Sequence, residues 1–179
     1  MKKKVILDAA ALDRSLSRLA HEILERSPEN APLGYIGIHT RGIHLAERLA
    51  RLTKKIDPAR PTLPLGQLDI SFHRDDMGRN LAAPKITDIP FNIDKELIIL
   101  VDDVLCSGRT IRAALNALVD HGRAQAVRLA VLVDRGHRQL PIRADFVGKN
   151  IPTAPGENVV VHLKEVDGVD EVVVEGGES

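Results

Sequence analysis

The feature that most constrains the fold is an uninterrupted apolar run that ends in two adjacent carboxylates. Residues 98–101 are Ile-Ile-Leu-Val, and Asp102 and Asp103 follow directly. A strand with apolar residues at every position is covered on both faces of its sheet, as in parallel sheets flanked by helices. The run therefore predicts a central strand of an α/β fold. Both acids then lie at the carboxyl end of that strand, where such sheets hold their ligands.

A short loop of small and hydroxylated residues follows the acids and leads into a helix. The apolar stripe that predicts this helix comprises Ile111, Ala114, Leu115, Leu118 and Val119. Ser107 and Thr110 supply hydroxyl groups, and Gly108 allows close approach of the backbone to a ligand. Backbone N–H groups at a helix N-terminus are unpaired and favour anions. We therefore expect a phosphate cradle here, with the two acids accepting hydrogen bonds from vicinal ribose hydroxyls.

A plain turn, a P-loop and a receiver-domain site each account for less of this string. Two acids after an apolar strand can be solvated side chains of an ordinary turn. A P-loop is excluded because no Gly-Lys-Ser or Gly-Lys-Thr follows the strand. The phosphoacceptor site of a receiver domain does not require the Ser-Gly-Arg-Thr turn at 107–110. The whole string is best explained by binding of a phosphorylated sugar.

The rest of the chain alternates predicted strands with predicted helices. The predicted elements are a helix over 11–26, a strand over 34–38, a helix over 43–55, a strand around 68–72 and further strands over 127–133, 159–163 and 172–174. This order predicts one domain over residues 1–179, with a mainly parallel sheet flanked by helices. Residues 74–90 lack periodicity and are predicted to form a mobile lid, with a plain surface connection as the alternative.

The composition limits the classes of partner. Lys plus Arg and Asp plus Glu both number 25, so a formal net charge of zero gives no overall attraction to nucleic acid or anionic lipid. Any nucleic-acid site must therefore be a local patch. A single cysteine excludes an internal disulfide, and no apolar run is long enough to span a membrane. We expect a cytoplasmic protein without a membrane partner.

The string that ends at residue 110 resembles the phosphoribosyl-pyrophosphate (PRPP) motif of type I phosphoribosyltransferases. Residues 40–42, Thr-Arg-Gly, resemble the pyrophosphate loop of that family, in which a cis non-proline peptide directs backbone donors at the pyrophosphate. The resemblance implies a cis peptide next to Thr40 and Arg41, and catalytic roles for Arg41, Asp102 and Asp103. The PRPP-binding residues that it implies are Thr40, Arg41, Asp102, Asp103, Val104, Leu105, Cys106, Ser107, Gly108, Arg109 and Thr110.

A longer resemblance covers nearly the whole chain. Residues 132–153, 18–22 and 69–76 are similar to the pyrimidine operon attenuation regulators, a family of bifunctional proteins with uracil phosphoribosyltransferase activity. This resemblance implies transfer of phosphoribose from PRPP to uracil, giving UMP and pyrophosphate. It also implies a hood over the nucleobase, mainly in 134–179 with N-terminal contributions. The nucleotide contacts that it implies in the hood are Arg135 and Val159.

The cofactor and partners are implied by the same resemblance. Mg²⁺ is expected to arrive with PRPP and to have no dedicated protein ligands, since it retains several of its waters. No general base is identified, and the spacing of His39, His44, His121 and His162 does not indicate a metal site. The expected partners are PRPP, uracil, UMP and UTP, pyrimidine-operon leader mRNA and further copies of the chain in a homodimer or larger homo-oligomer.

One face of the first predicted helix carries Arg14, Arg18 and His21 at steps of four and three. For this row alone, a solvated face paired with Glu22 and Glu25 is the simpler explanation. The family resemblance instead implies an RNA-binding face that holds the phosphates and displayed bases of an RNA loop. The residues that match it are Ser17, Arg18, His21, Thr40, His137, Arg138, Arg143 and Lys149.

The chain departs from the family pattern at two places. Cys106 and Ser107 stand where Tyr-Thr is frequent, and His73 stands where tyrosine is common. Serine keeps the hydroxyl donor, so we expect an effect on PRPP affinity rather than loss of function. Two alternatives stay open: a phosphoribosyltransferase for another base without RNA binding, and a regulator with decayed catalysis. The intact acids argue against decay, and the similarity in the hood argues against a purine enzyme.

Overall fold

The computed structural model describes residues 3–29, 31–61, 63–71 and 86–176. In these ranges strands and helices alternate along most of the chain. In order they are β1 (Lys3–Leu7), α1 (Ala9–Glu25), β2 (Leu33–Ile38), α2 (Arg41–Ile56), β3 (Leu65–Leu68), β4 (Leu97–Leu105), α3 (Arg109–Val119), β5 (Ala126–Asp134), β6 (Phe146–Asn150), β7 (Glu157–His162), α4 (Lys164–Asp167) and β8 (Glu171–Gly176).

Five of the strands form one parallel sheet in the order β3-β2-β4-β5-β6. β4 lies at its centre, with Ile99 paired to Tyr35 of β2 and Val101 paired to Ala130 of β5. The strands β1, β8 and β7 form a separate antiparallel sheet, called the second sheet below. The parallel sheet with helices on both faces confirms the predicted fold class.

The continuous apolar run of β4 is explained by the two hydrophobic clusters that it joins. Ile99 and Val101 belong to the cluster that contains the buried residues of α1 and α2, whereas Ile98 and Leu100 belong to the cluster that contains those of α3. All four side chains are at most 1% exposed. Each contributes about 1.5–3 kcal/mol by burial, so a polar residue on either face would destabilise the centre of the sheet.

Two helices begin earlier than the sequence predicts. α1 begins at Ala9 rather than at residue 11, because the Asp8 carboxylate accepts the N–H of Ala11 at 2.8 Å and caps the helix there. α2 begins at Arg41 rather than at residue 43, so Arg41 and Gly42 belong to its first turn. The predicted loop before α2 is correspondingly shorter.

The predicted strand over 68–72 is also displaced. β3 ends at Leu68, and the side chain of Asp69 then accepts hydrogen bonds from the backbone N–H and the hydroxyl of Ser71. This local turn competes with continuation of the strand. The alternation of apolar residues after Leu68 therefore did not indicate a strand, and residue 72 lies outside the described residues.

The predicted apolar stripe of α3 is only partly correct. Leu115 is 39% exposed and Val119 is 75% exposed, whereas Ala113 and Ala117 are buried with Ile111. The helix turns its small alanine side chains toward the sheet, and Leu115 and Val119 consequently lie toward solvent. Hydrophobicity alone therefore misassigned one edge of the buried face.

The predicted lid over 74–90 falls mostly outside the described residues, which resume at residue 86. Where the chain resumes, Asp88 forms an antiparallel bridge with Gln67 of β3, and the ring Nε2 of His39 hydrogen-bonds to the carbonyl of Ile86 at 3.1 Å. No helix within the described ranges is long and apolar enough to cross a membrane.

Candidate functional site

Asp102 and Asp103 lie near the carboxyl end of β4, which continues through them to Leu105. Asp102 Oδ1 accepts the N–H of Asp103 at 3.0 Å, and Asp103 Oδ1 accepts the N–H of Val104 at 2.8 Å. Burial raises the pKa of the Asp103 carboxyl, while the Val104 N–H and the positive charge of Arg41 favour its ionised form. The backbone thus fixes both carboxylates at the edge where α/β sheets bind ligands.

The loop between β4 and α3 is the candidate anion cradle. Gly108 directly precedes α3 and has a φ of 91°, a left-handed conformation that glycine adopts without strain. The N–H of Arg109 lies 3.3 Å from the Ser107 hydroxyl oxygen, and Thr110 follows in the first turn. α3 begins without a side-chain cap, so its first turn offers the backbone donors that bind anions.

The segment 138–142 packs on this loop. Arg138 donates from Nη1 to the Cys106 carbonyl at 2.8 Å, and the N–H groups of Gln139 and Leu140 donate to the Ser107 carbonyl at 3.0 and 3.1 Å. The Arg138 guanidinium also donates to the carbonyl of Ile142 at 2.8 Å and pairs with Asp134. Arg138, a predicted RNA-binding residue, is therefore engaged in holding this loop.

A cis peptide bond joins His39 and Thr40, which confirms the cis peptide expected beside Thr40 and Arg41. The first turn of α2 follows immediately and packs backbone to backbone against β4. A Cβ atom at Gly42 would lie 2.5 Å from the carbonyl oxygen of Val101. Glycine at this position therefore brings the Thr-Arg-Gly loop directly beside the part of β4 that carries the acids.

Arg41 pairs with Asp167, the last residue of α4, which no sequence signal indicated. Arg41 Nε donates to Asp167 Oδ2 at 3.1 Å, and Nη2 donates to Oδ1 at 2.7 Å. This hydrogen bonding is the main cause that raises the pKa of Arg41 and lowers the pKa of Asp167. The negative charge of Asp103 also raises the pKa of Arg41. The guanidinium thus interacts with carboxylates of both α4 and β4.

Arg135 connects the parallel sheet to the second sheet. Its backbone N–H donates to the Leu105 carbonyl at 3.0 Å, while its guanidinium donates to Asn158 Oδ1 at 3.0 Å and to the Glu157 carbonyl at 2.7 Å. Val159 follows in β7. The structure therefore brings together Arg135 and the strand that carries Val159, at the end of β4 where the cradle begins.

The predicted RNA-binding residues of α1 and β6 share one surface. Arg18 donates from Nη2 to the carbonyl oxygens of Val147, at 3.1 Å, and Gly148 in β6. Lys149 is the next residue of β6 and is exposed. Arg18 also pairs with Glu22, the partner that a solvated helix face predicts. The contact with β6 nevertheless places Arg18 beside the strand that carries Lys149.

The remaining predicted RNA-binding residues differ in whether their side chains already hydrogen-bond within the protein. His21 Nδ1 hydrogen-bonds to the Ser17 carbonyl at 2.8 Å, and His137 Nε2 hydrogen-bonds to the Thr153 carbonyl at 2.8 Å. No group of His, Cys, Asp and Glu side chains in the described ranges is arranged to hold a metal ion. Arg143 and Lys149 differ from the two histidines. Both are exposed RNA-binding candidates, and neither side chain has a partner in the described part of the chain.

Comparison with known proteins agrees with this geometry. A phosphoribosyl transferase domain model matches residues 4–165. The bifunctional protein PyrR of Chloroflexus aurantiacus is 50% identical over 179 residues, which cover 99% of this chain and 97% of that protein. The bifunctional protein PyrR of Deinococcus deserti is 54% identical over 172 residues, which cover 95% of this chain and 93% of that protein.

Solved structures of hypoxanthine phosphoribosyltransferases share the fold. The Trypanosoma cruzi enzyme has a TM-score of 0.72 at 17% identity, covering 98% of this chain and 97% of that chain. The Staphylococcus aureus enzyme has a TM-score of 0.71 at 19% identity, covering 94% of this chain and 90% of that chain. The TM-scores support a shared fold, but at such low sequence identity the similarity gives no information about which base this protein uses. The family match and the full-length identity to PyrR together show that the chain belongs to the phosphoribosyltransferase family and, within it, to the bifunctional PyrR proteins, regulators of pyrimidine genes with uracil phosphoribosyltransferase activity.

Proposed function

We propose that uracil phosphoribosyl transfer occurs at the carboxyl edge of the parallel sheet, and that a separate surface binds pyrimidine-operon leader mRNA in response to uridine nucleotides. The observation that carries the catalytic part is the meeting of three groups at that edge. They are the acids of β4, the uncapped first turn of α3, and Arg41 at the start of α2. Together they match the ribose, the phosphate and the pyrophosphate of PRPP.

Each group has a distinct role in this proposal. Asp102 and Asp103 accept hydrogen bonds from the ribose hydroxyls, and the first turn of α3 binds the 5′-phosphate with the Ser107 hydroxyl. Thr40 and Arg41 bind the pyrophosphate. Cleavage of the bond between the sugar C1 and the pyrophosphate oxygen leaves an oxocarbenium-like sugar. N1 of uracil bonds to C1 and gives up its proton, which water or the departing pyrophosphate accepts. These residues therefore act by positioning the reactants and stabilising the leaving group.

The proposed base and metal sites adjoin these groups. We assign the uracil site to the space beside Arg135 and Val159, under the second sheet and the segment 138–142. Mg²⁺ would have no dedicated protein ligands in this proposal and would be held mainly by PRPP oxygens and water beside Asp102 and Asp103. When bound, Mg²⁺ reduces the negative charge of the pyrophosphate. Closure of a lid over residues 74–90 stays a prediction, since most of that range lies outside the described residues.

Paired substitution of the acids tests the catalytic proposal. Asp102→Asn with Asp103→Asn keeps side-chain volume but removes the negative charge that strengthens hydrogen bonds to ribose. We expect PRPP-dependent UMP formation to fall by about 100-fold or more. Uracil, hypoxanthine and orotate are compared as acceptors, with Asp120→Asn at the far end of α3 as the control. Parental turnover in the double variant would contradict the site, and preference for hypoxanthine or orotate would contradict the assignment of uracil.

The RNA proposal rests on the surface shared by α1 and β6, together with Arg143. Arg143 and Lys149 are the appropriate residues to replace, since neither side chain has a partner in the described part of the chain, whereas Arg18 and Arg138 also hold the fold together. Arg143→Gln with Lys149→Gln should weaken binding of a leader RNA and reduce its salt slope by about 1.4, for two lost phosphate contacts on a single strand.

A matched control removes two positive charges elsewhere. Lys95 precedes β4 and Arg123 follows α3, so both lie at the amino ends of the parallel strands, and both are exposed. Lys95→Gln with Arg123→Gln should leave RNA affinity at the parental value. Equal weakening by both double variants would indicate attraction to overall charge rather than a defined face. Absence of specific RNA binding by the parent protein would favour a phosphoribosyltransferase without RNA binding.

The proposal includes two further properties of the protein. We place its activity in the cytoplasm, where a leader transcript is present. We also expect a homodimer or larger homo-oligomer, which light scattering of the purified protein tests by its molar mass.

A further inference from the structure

Arg41 is held by a carboxylate that lies 126 residues further along the chain. The pair is side-on: Nε and Nη2 of Arg41 donate to the two different oxygens of Asp167, at 3.1 and 2.7 Å. The side chains are 28% and 19% exposed, so both are largely removed from solvent. A two-point contact of this kind fixes the plane of the guanidinium as well as its position.

Asp167 is itself fixed by the backbone that directly follows β7. Its Oδ2 atom also accepts the backbone N–H of Leu163 at 2.8 Å. Leu163 is fully buried and belongs to the cluster that joins the second sheet to α1 and α2. The carboxylate that orients Arg41 is therefore anchored to the hydrophobic core, and it is not a flexible surface group.

Asp167 occupies only one edge of the Arg41 guanidinium, and the other N–H donors are available to a ligand. A guanidinium has five N–H donors, and the pair uses one on Nε and one on Nη2. The two donors of Nη1 and the second donor of Nη2 are not used in this contact. These three donors point away from the occupied edge because the fork is planar, and they suit the oxygens of a pyrophosphate.

Asp103 is a second carboxylate whose charge acts on Arg41. Without Asp167, the long Arg41 side chain would be free to turn toward the half-buried Asp103 carboxylate. A direct pair with Asp103 would occupy the group that the proposed function assigns to ribose. The bond to Asp167 thus separates two charges whose direct pairing would block both of their roles.

We propose that Asp167 is a positioning residue for phosphoribosyl transfer, which holds Arg41 by one edge so that its remaining donors receive the departing pyrophosphate. This inference rests on the proposed function of Arg41. Loss of Asp167 leaves the positive charge of Arg41 in the site, so long-range attraction to PRPP persists. It removes the orientation, which matters most when the pyrophosphate gains charge in the transition state.

The test separates kcat from KM in the uracil reaction. Asp167→Asn keeps an oxygen that can accept the Leu163 N–H, but it loses the charge and the second acceptor oxygen. We expect kcat to fall by about tenfold while KM for PRPP stays within about threefold of the parental value. In an Arg41→Ala background, Asp167→Asn should change kcat by less than about twofold, because a residue that acts through Arg41 has no further effect once Arg41 is removed.

Asp170→Asn is the matched control. Asp170 lies just after α4, accepts the backbone N–H of Lys164 at 2.8 Å and pairs with Arg48 of α2 at 2.7 Å. Like Asp167, it accepts one backbone N–H and an arginine donor, but it does so through a single oxygen. Its arginine is also held by Glu165 and has no role in the proposed site. Its replacement should leave kcat and KM at the parental values when activity is expressed per folded protein.

Several outcomes would overturn the inference. The first is a kcat for Asp167→Asn equal to that of Asp170→Asn. The second is a loss of kcat on Asp167→Asn that is as large in the Arg41→Ala background as in the parent. The third is tighter pyrophosphate inhibition with unchanged kcat, which would make Asp167 a competitor of the ligand. If Asp167→Asn does not fold, Asp167→Ser provides the same comparison with a smaller acceptor. Parental activity of Arg41→Ala alone would instead refute the proposed role of Arg41, so the two failures are distinguishable.

Discussion

Tyr35 is the single tyrosine of the chain, and its side chain is completely buried in β2. Its hydroxyl hydrogen-bonds to the hydroxyl of Thr53 in α2 at 2.7 Å, so the pair ties the sheet to the helix that carries Arg41. Burial disfavours the phenolate and raises the pKa of Tyr35 to about 12. A tyrosine in the unfolded chain titrates near ~10.

This difference predicts a loss of stability at high pH. The folded-state pKa is the higher one, so the unfolded chain releases the proton first as pH rises. The contribution of Tyr35 to the free energy of unfolding is therefore complete below pH ~10 and is lost between pH ~10 and pH 12, by about 2–3 kcal/mol. Tyr35 is the single tyrosine, so tyrosinate absorbance follows its ionisation alone, and the chain has no tryptophan to overlap the signal.

Denaturant titrations at several pH values, with Tyr35→Phe as the control, measure the same effect. The Phe variant should lack this part of the decline, since it has no hydroxyl to ionise. A native-state titration midpoint near ~10 would show that burial does not act on this group as argued.

At the scale of elements, the close packing of α2 on β2 and β4 decides where the Thr-Arg-Gly loop lies. Gly37 and Gly42 both permit close packing here: a Cβ at Gly37 would lie 2.4 Å from the Ile43 Cα, and a Cβ at Gly42 would lie 2.5 Å from the Val101 carbonyl oxygen. Both obstacles are backbone atoms, which cannot rotate away. The first turn of α2 must therefore shift if either glycine acquires a side chain.

Gly42→Ala should consequently impair both stability and catalysis. We expect a loss of about 1–3 kcal/mol in the free energy of unfolding from overpacking. UMP formation per folded protein should fall by on the order of 100-fold if Arg41 moves by about 1 Å relative to β4. Urea denaturation and the PRPP assay measure the two effects separately.

Gly66→Ala in β3 is the comparison. A Cβ there meets side-chain atoms of Ile89 and Ile36 at 3.2 and 3.3 Å, and these can yield by small rotations. Its activity per folded protein should stay close to that of the parent. Equal loss of activity in both variants would indicate that general destabilisation, and not the position of α2, reduces turnover.

The elements differ in how far sequence could predict them. β4 was predictable because four consecutive apolar side chains require cover on both faces. β6 was not, because the sequence Phe-Val-Gly-Lys-Asn has no clear alternation and becomes a strand only by pairing with β5. The short β1 was likewise missed, since its pairing with β8 joins residues at opposite ends of the chain.

The candidate site shows the same division between local and long-range signals. Asp102, Asp103 and Gly108 form one continuous string, so their chemistry could be predicted together. The supports of the site could not, because the pair of Arg41 with Asp167 depends on how the second sheet packs on the parallel sheet. Packing between distant segments leaves no periodic signal in the sequence.

For the molecule as a whole, the segment from Arg135 to Arg143 connects the proposed catalytic site with the proposed RNA-binding face. Arg138 donates to the Cys106 carbonyl in the proposed phosphate cradle, and Arg135 donates to Asn158 beside Val159 in β7. The same segment carries Arg143, an exposed residue of the proposed RNA face. A nucleotide bound in the proposed cradle would therefore act on the backbone that presents part of that face.

This connection predicts reciprocal coupling between UMP and RNA. UMP should tighten binding of a pyrimidine-operon leader RNA by about 5-fold or more, and the RNA must then tighten UMP binding by the same factor, because coupling free energy is shared by the two sites. Mobility-shift titrations with and without UMP give the first factor, and calorimetric UMP titrations with and without saturating RNA give the second. UMP has this effect only if it favours the RNA-binding conformation over its alternative. RNA affinity independent of UMP would separate the two functions and leave the contacts of segment 135–143 as structural supports of the cradle alone.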